Sequence, residues 1–331
     1  MKTVRTPEKK ALSKVLFCSA GILVGLFLII IFLLVRIDSL SRQATDLKAE
    51  VARATKQLDS YQRSYCMNDL TIKQANTVTT HYLESAGYTR SYRVHTPKNY
   101  DPTVRYPVVV SFDGMEGSAT RIQSYSGIDT LPVIAVYPEA LAGKRGFTAW
   151  QGAPYAVDGT RDIQFIANLL EILPTQYCVD ATQTFAVGMS NGGGFAMLAG
   201  CALPDKIRAI ASVSGAYYKN CHNEGRTPSL MVVHSKADKQ VPFLGSKPRK
   251  LPELPQWVER KASERKCQTS TQNTTKNGAT YYSWQGCKDD SLLRFVVLNN
   301  QSHGWLQIPA ATEKKAHTTE SIWQFFQDTL Y

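Results

Sequence analysis

None of the seven cysteines stands at C-x-x-C spacing or pairs with histidine at metal-ligand spacing, which points away from zinc. The basic residues, 38 Lys and Arg against 27 Asp and Glu, are not gathered into patches interleaved with aromatics. The net charge of +11 therefore reads as solvated surface suited to an anionic polymer or lipid nearby, and not as nucleic-acid binding. No small-x-small site closes the first apolar run before Arg36, as a cleaved signal peptide would need. Histidine is scarce, six residues in 331, so the candidates for a general base are few.

What is present begins with an anchor. Residues 1–14 carry Lys2, Arg5, Lys9, Lys10 and Lys14 and read as a cytoplasmic tail. Val15–Val35 is continuous and apolar apart from Cys18, Ser19 and two glycines, long enough for a bilayer core of roughly 30 Å. The expectation is a transmembrane signal anchor over 15–35 with type II topology, a cleaved signal peptide being the rival. Arg36, Arg42 and Lys48 on the far side weaken the charge asymmetry without reversing it. Residues 36–66 follow as a helical stalk. Ile37, Leu40, Ala44, Leu47, Val51, Ala54, Leu58, Tyr61 and Tyr65 alternate three and four apart, an a/d seam over about four heptads. A weak coiled coil joining copies of the chain is one reading; a single amphipathic helix is the other.

Six of the cysteines lie beyond the anchor, Cys66, Cys178, Cys201, Cys221, Cys267 and Cys287, an even number that suits an oxidising compartment, periplasmic or extracellular. Asn273-Thr274-Thr275 and Asn300-Gln301-Ser302 are glycosylation sequons of the kind that also arises by chance.

Residues 67–331 read as one catalytic domain organised around Phe185–Gly194. The apolar run Thr184–Val187 passes into Gly188-Met189-Ser190-Asn191-Gly192, and an Ala-rich stretch, Phe195–Leu203, follows. Strand, sharp turn and helix, with G-x-S-x-G in the turn, describe a nucleophile elbow. Glycines two residues either side of Ser190 let strand and helix pass closely, and the Asn191 N–H at the helix start can face a developing oxyanion. Buried strands are expected at Pro107–Phe112, Pro132–Tyr137, Ile207–Ser214, Leu230–His234 and Leu293–Leu298, with an edge strand at Arg90–His95. Helices are expected at Asp162–Leu173, capped by Asp162, at Gln256–Lys266 and at Glu320–Leu330. The alternation predicts an α/β fold with a mostly parallel, doubly wound sheet.

A serine nucleophile needs a base, and the base an orienting carboxylate. Asp238 follows the strand ending at His234, and His303 follows the strand ending at Leu298, in the order Ser, acid, His. Competing histidines have weaker positions: His95 before the Gly-rich loop strand, His234 at a strand end, His317 near the terminus, His81 and His222 on surface segments.

Tyr92-Arg93-Val94, Pro107–Ala119, Val136-Tyr137-Pro138-Glu139, Gly188–Gly194, Asp238–Pro242 and Ser302-His303-Gly304-Trp305 together resemble the polyhydroxybutyrate-depolymerase and feruloyl-esterase group of α/β hydrolases, which includes carbohydrate acetyl esterases. The resemblance runs from about Ser91 to the C-terminus. It implies an α/β-hydrolase fold, Ser190 as nucleophile, Asp238 as acid and His303 as base, with oxyanion N–H groups from Met115 and Asn191 and no cofactor. It also implies a Cys267–Cys287 disulfide and leaves the connectivity of the other four open, Cys201 with Cys221 being the next pair expected and Cys66 with Cys178 what then remains. One departure stands out: the family loop usually opens His-Gly, and here it opens Asp113-Gly114. A carboxylate at that point is expected to turn away from Ser190 and brace the loop, or else to be only a turn former before glycine. The expected activity is a membrane-held serine esterase acting on feruloyl or acetyl esters of polysaccharide or on short hydroxyalkanoate esters. A non-catalytic binding or adhesion protein keeping the fold is the alternative. The loops Gly143–Pro154 and Phe243–Pro255 border the cleft and carry no readable specificity code.

Overall fold

The computed structural model describes residues 29–51, 53, 66, 74–221, 225–274, 278–309 and 318–330. The chain forms two compact units, divided between Tyr65 and Cys66. In the first, residues 29–51 are one helix, α1. Its apolar side chains Ile37, Leu40, Leu47 and Val51 are exposed, as is every side chain from Ile29 to Val35. The expected tail, residues 15–28 of the expected anchor, and the seam positions Ala54, Leu58, Tyr61 and Tyr65 lie outside the described residues. Among the described residues no helix is long and apolar enough to cross a membrane.

The second unit is built on a ten-stranded sheet. In chain order its elements are β1 (Val78–Ser85), β2 (Tyr88–His95), β3 (Tyr106–Phe112), α2 (Ala119–Ser126), β4 (Ile134–Pro138), α3 (Arg161–Gln176), β5 (Val179–Met189) and α4 (Asn191–Ala202). Then follow β6 (Ala209–Val213), β7 (Ser229–Ser235), α5 (Leu254–Glu264), β8 (Thr269–Thr274), β9 (Ala279–Gln285), β10 (Leu293–Leu298) and α6 (Thr318–Asp328). The spatial order is β1-β2-β4-β3-β5-β6-β7-β10-β9-β8. The run from β4 to β10 is parallel, and antiparallel pairs close both edges.

The pleat sorts each strand between two cores. Along β3, Val108, Val110 and Phe112 join Phe165 of α3, Phe195 of α4 and Trp257 of α5 on one face. Val109, between them, faces Ile122 of α2 and Phe325 and Phe326 of α6 on the other. Strands buried on both faces are nearly continuous apolar runs, which is why the parallel strands stood out in sequence. Burying each such large apolar side chain stabilises the fold by about 1.5–3 kcal/mol relative to leaving it exposed.

Several expectations shift. Asp162 is not the cap of α3: Thr160 holds that position, and Asp162 is drawn into the core by Arg90, Nη1 to Oδ1 2.9 Å, with neither side chain exposed. The strands β1, β8 and β9 escaped the sequence reading because their exposed and half-buried polar residues break the apolar run. Cysteines pair as Cys66–Cys178, Cys201–Cys221 and Cys267–Cys287. Cys66, assigned by sequence to the stalk, thus belongs with the second unit.

Candidate active site

Ser190 stands between the last residue of β5 and the first of α4 with φ 57° and ψ −121°, a backbone region that a non-glycine residue occupies only when its surroundings enforce it. The enforcement comes from close packing. A Cβ on Gly188 would overlap the Gly192 backbone, and one on Gly192 would overlap the carbonyl oxygens of Phe112 and Asp113. Backbone bonds finish the turn: the Ser190 carbonyl accepts from Gly194 N–H at 3.1 Å and from Ala216 N–H at 3.0 Å.

The three residues that sequence order selected are brought together. His303 Nε2 lies 2.9 Å from Ser190 Oγ, and His303 Nδ1 lies 2.7 Å from Asp238 Oδ2. The ring proton belongs on Nδ1, facing the carboxylate, which leaves Nε2 to accept from the serine hydroxyl. The other oxygen, Oδ1, accepts from the N–H groups of Gln240 and Val241 at 2.9 and 2.8 Å. Burial by itself would raise the Asp238 pKa. The bonds from His303 and the Val241 N–H outweigh it and hold the carboxyl below its ordinary value.

The competing histidines are placed elsewhere. His234 lies buried behind Asp238, Nε2 3.4 Å from Oδ2, and donates to the Val241 carbonyl at 2.8 Å. Burial pushes its pKa down, so it stays neutral. His95 is buried 3.4 Å from Asp129. His81 is half-buried against Tyr92, rings 5.2 Å apart, and not on a free surface. His222 and His317 lie outside the described residues.

The loop that opens Asp113-Gly114 passes over the serine, close enough that a Cβ on Gly114 would lie 3.2 Å from Ser190 Cβ. The Asp113 carboxylate is engaged within its own loop and in α2. It accepts from Gly114 N–H at 2.7 Å, Ser118 N–H at 3.0 Å, Arg121 Nε at 2.7 Å and the Tyr125 hydroxyl at 2.6 Å. Sequence reasoning missed two parts of this arrangement. The Arg121 and Tyr125 clamp is an i+8, i+12 pattern across a loop, with no local signal. Trp150 was hidden in an irregular stretch: its ring N–H donates to the Asp113 carbonyl at 3.0 Å, and its backbone N–H donates to Asn191 Oδ1 at 2.8 Å. The Asn191 side chain thereby ties the elbow to the loop above it. Its backbone N–H, in the first turn of α4, has no helix carbonyl ahead of it.

A cavity of about 220 Å³ opens at this point, bordered by Ser190, His303, Met115, Tyr155, Tyr218 and Arg249. A nucleophile, a base and an orienting acid beside a cavity can carry acyl transfer.

Residues 84–301 match the model of the Esterase family. The chain belongs to that family. It is a carboxylic ester hydrolase with the α/β-hydrolase fold. Among the relatives of this esterase, feruloyl esterase D of Neurospora crassa is 23% identical over 273 residues, covering 80% of this chain and 89% of the relative. The bifunctional acetylxylan esterase/xylanase XynS20E of Neocallimastix patriciarum is 24% identical over 253 residues, 74% of this chain but only 34% of the relative. The acetyl xylan esterase of Aspergillus awamori shares the fold, with a TM-score of 0.55 at 14% identity over 75% of this chain and 99% of that one. The β5-turn-α4 unit that carries Ser190 is the elbow of this fold.

Proposed function

We propose that this esterase hydrolyses feruloyl or acetyl esters of polysaccharide, or short hydroxyalkanoate esters, through an acyl-enzyme on Ser190. The observation that carries the reading is the unbroken bond chain from Ser190 Oγ through His303 to Asp238. Ser190 Oγ attacks the ester carbonyl carbon while its proton passes to His303 Nε2. Asp238 steadies the imidazolium through Nδ1–H. The Met115 and Asn191 N–H groups receive the carbonyl oxygen as it becomes an oxyanion. Collapse breaks the ester C–O bond, and the alcohol leaves with the proton from His303. Water then repeats the sequence on the acyl-serine, releasing the acid and restoring Ser190. The Asp113 carboxylate supports this reading as a brace, since a negative charge facing the oxyanion would oppose it.

The names of the relatives, feruloyl and acetylxylan esterases, supply the substrate candidates. Three disulfides fit an oxidising compartment. With residues 15–35 as a type II anchor, the catalytic unit faces that compartment on the outer side of a membrane. The exposed apolar side chains of α1 support either burial in lipid or a seam between copies of the chain. The experiment is turnover of p-nitrophenyl acetate and butyrate by the full chain and by Ser190→Ala. Hydrolysis by the first and none by the second is expected. A Ser190→Ala chain that keeps its turnover would sink the assignment, and a wild-type chain inert on every ester would favour the binding-protein alternative.

A further inference from the structure

Beside the small cavity at Ser190 lies a larger one of about 530 Å³. The two share Met115, Tyr155, Tyr218 and Arg249 on their borders, so they form one cleft. The larger part is unusual in its charge. Arg145, Arg249 and Lys250 line it, and Glu116 is the single carboxylate among its lining residues. Among the described residues none of these three cations is in an ion pair, although their neighbours are: Lys144 reaches Asp158 at 2.9 Å, and Arg121 is held by Asp113. Arg249 is nonetheless positioned, because its guanidinium donates to the Gln240 carbonyl in the acid loop. Interleaved with the cations are flat and apolar surfaces. Phe147 is 50% exposed and Met115 40%, and the Tyr155 and Tyr218 rings meet edge to face at 5.9 Å.

We propose that this cleft binds a carboxylated glycan, so that the esters hydrolysed at Ser190 are carried on a uronic-acid-bearing chain. The inference rests on the esterase reading and adds the class of alcohol to it. Unpaired cations held at the rim attract carboxylates spaced along a chain, and exposed rings between them stack against sugar faces. Arg145 and Lys250 border the larger cavity and not the one at Ser190. The charge that these two recognise therefore lies outside the Ser190 cavity, on the polymer that carries the ester.

The test compares an acetylated oligogalacturonide with an acetylated xylo-oligosaccharide of equal length, using the full chain, with p-nitrophenyl acetate as a common reference. At low salt the acidic substrate is expected to have a kcat/KM about tenfold higher, and the advantage shrinks as salt screens the charges. The double variant Arg145→Gln, Lys250→Gln should lose about tenfold on the acidic substrate, chiefly in KM, and at least five times less on the neutral one. Lys98→Gln, an exposed lysine outside the cleft, serves as the charge control. A wild-type chain that hydrolyses p-nitrophenyl acetate yet treats both oligosaccharides alike overturns the inference, as does an equal loss on both in the double variant. A chain inert on p-nitrophenyl acetate counts against the esterase reading instead. Calorimetric binding of unesterified oligogalacturonide to Ser190→Ala then decides the inference separately: binding weakened by the double variant upholds it, and no binding overturns it.

Discussion

The floor and the rim of the cleft are made of different materials. At the floor, Ser190 is held by backbone: a strained φ/ψ, glycines without room for a Cβ, and a carboxylate clamp under the loop above. At the rim, Arg145, Phe147, Arg249 and Lys250 are exposed side chains on the two irregular stretches 143–154 and 243–255. A change at the floor is expected to disturb the reaction, and where it removes the Asp113 clamp it disturbs the fold as well. A change at Arg145 or Lys250 on the rim is expected to leave both alone and to alter only what is recognised. Reaction and selectivity are thus separable in this molecule, and the contrast can be tested from the floor upward.

The largest effect is expected from Asp238→Asn. An amide can donate to His303 Nδ1 and favour the wrong imidazole tautomer, which leaves the Ser190 hydroxyl without an acceptor. Turnover should fall by about 10⁴-fold with the melting temperature little changed. A loss below tenfold would break the contrast, since the floor would then tolerate change as the rim does. Next comes Asp113. Removing a buried carboxylate that accepts several charge-assisted bonds costs about 2 kcal/mol, so Asp113→Ala should lower the Tm by about 5 °C along with turnover. Asp113→Asn should keep most of both. Thermal melts and p-nitrophenyl acetate rates check the pair, and a gain in activity with Asp113→His would mark the residue as damage and not a brace.

The smallest effect is in pH dependence. Folded His234 is neutral because burial depresses its pKa, while the unfolded chain takes up a proton near pH 6.5. The unfolded state therefore binds more protons below about 6.5, and stability falls as pH drops from there, by at most about 1.4 kcal/mol per pH unit. Asp238 is also depressed, but its contribution is complete above about pH 3.9 and is lost only in stronger acid. His234→Gln should flatten the melting profile between pH 6.5 and 5 and leave the acid limb in place. Unchanged slopes in both windows would show that the floor is insensitive to protonation.

The elbow motif and the sequence order marked out Ser190, Asp238 and His303 as candidates, because each lies just past an apolar parallel strand whose character is set by burial on both faces. The elbow glycines were legible for a similar reason: a close backbone approach permits one residue type. The partners of Asp113 were not, since Arg121 and Tyr125 come from the following helix and Trp150 from a loop with no period. The antiparallel strands β1, β8 and β9 near the two edges were lost because strands with exposed and half-buried polar residues resemble loops in a single sequence. The two cleft loops were located correctly, but their meaning depended on folding Arg145, Arg249 and Lys250 around one cavity.

The Cys66–Cys178 bond gives the second unit a mechanical property. It short-circuits 112 residues of chain, β1 through α3, and it meets the sheet one residue before β5, the strand that runs to Ser190. Tension on the chain ahead of Cys66 has a covalent route to the middle of the sheet, flanked by β3 and β6, and does not depend on the edge pair β1–β2. Were that edge to peel, no length would be released. About 380 Å of contour stays locked inside the closed loop for as long as the bond is oxidised, so extensibility under load becomes a function of redox state.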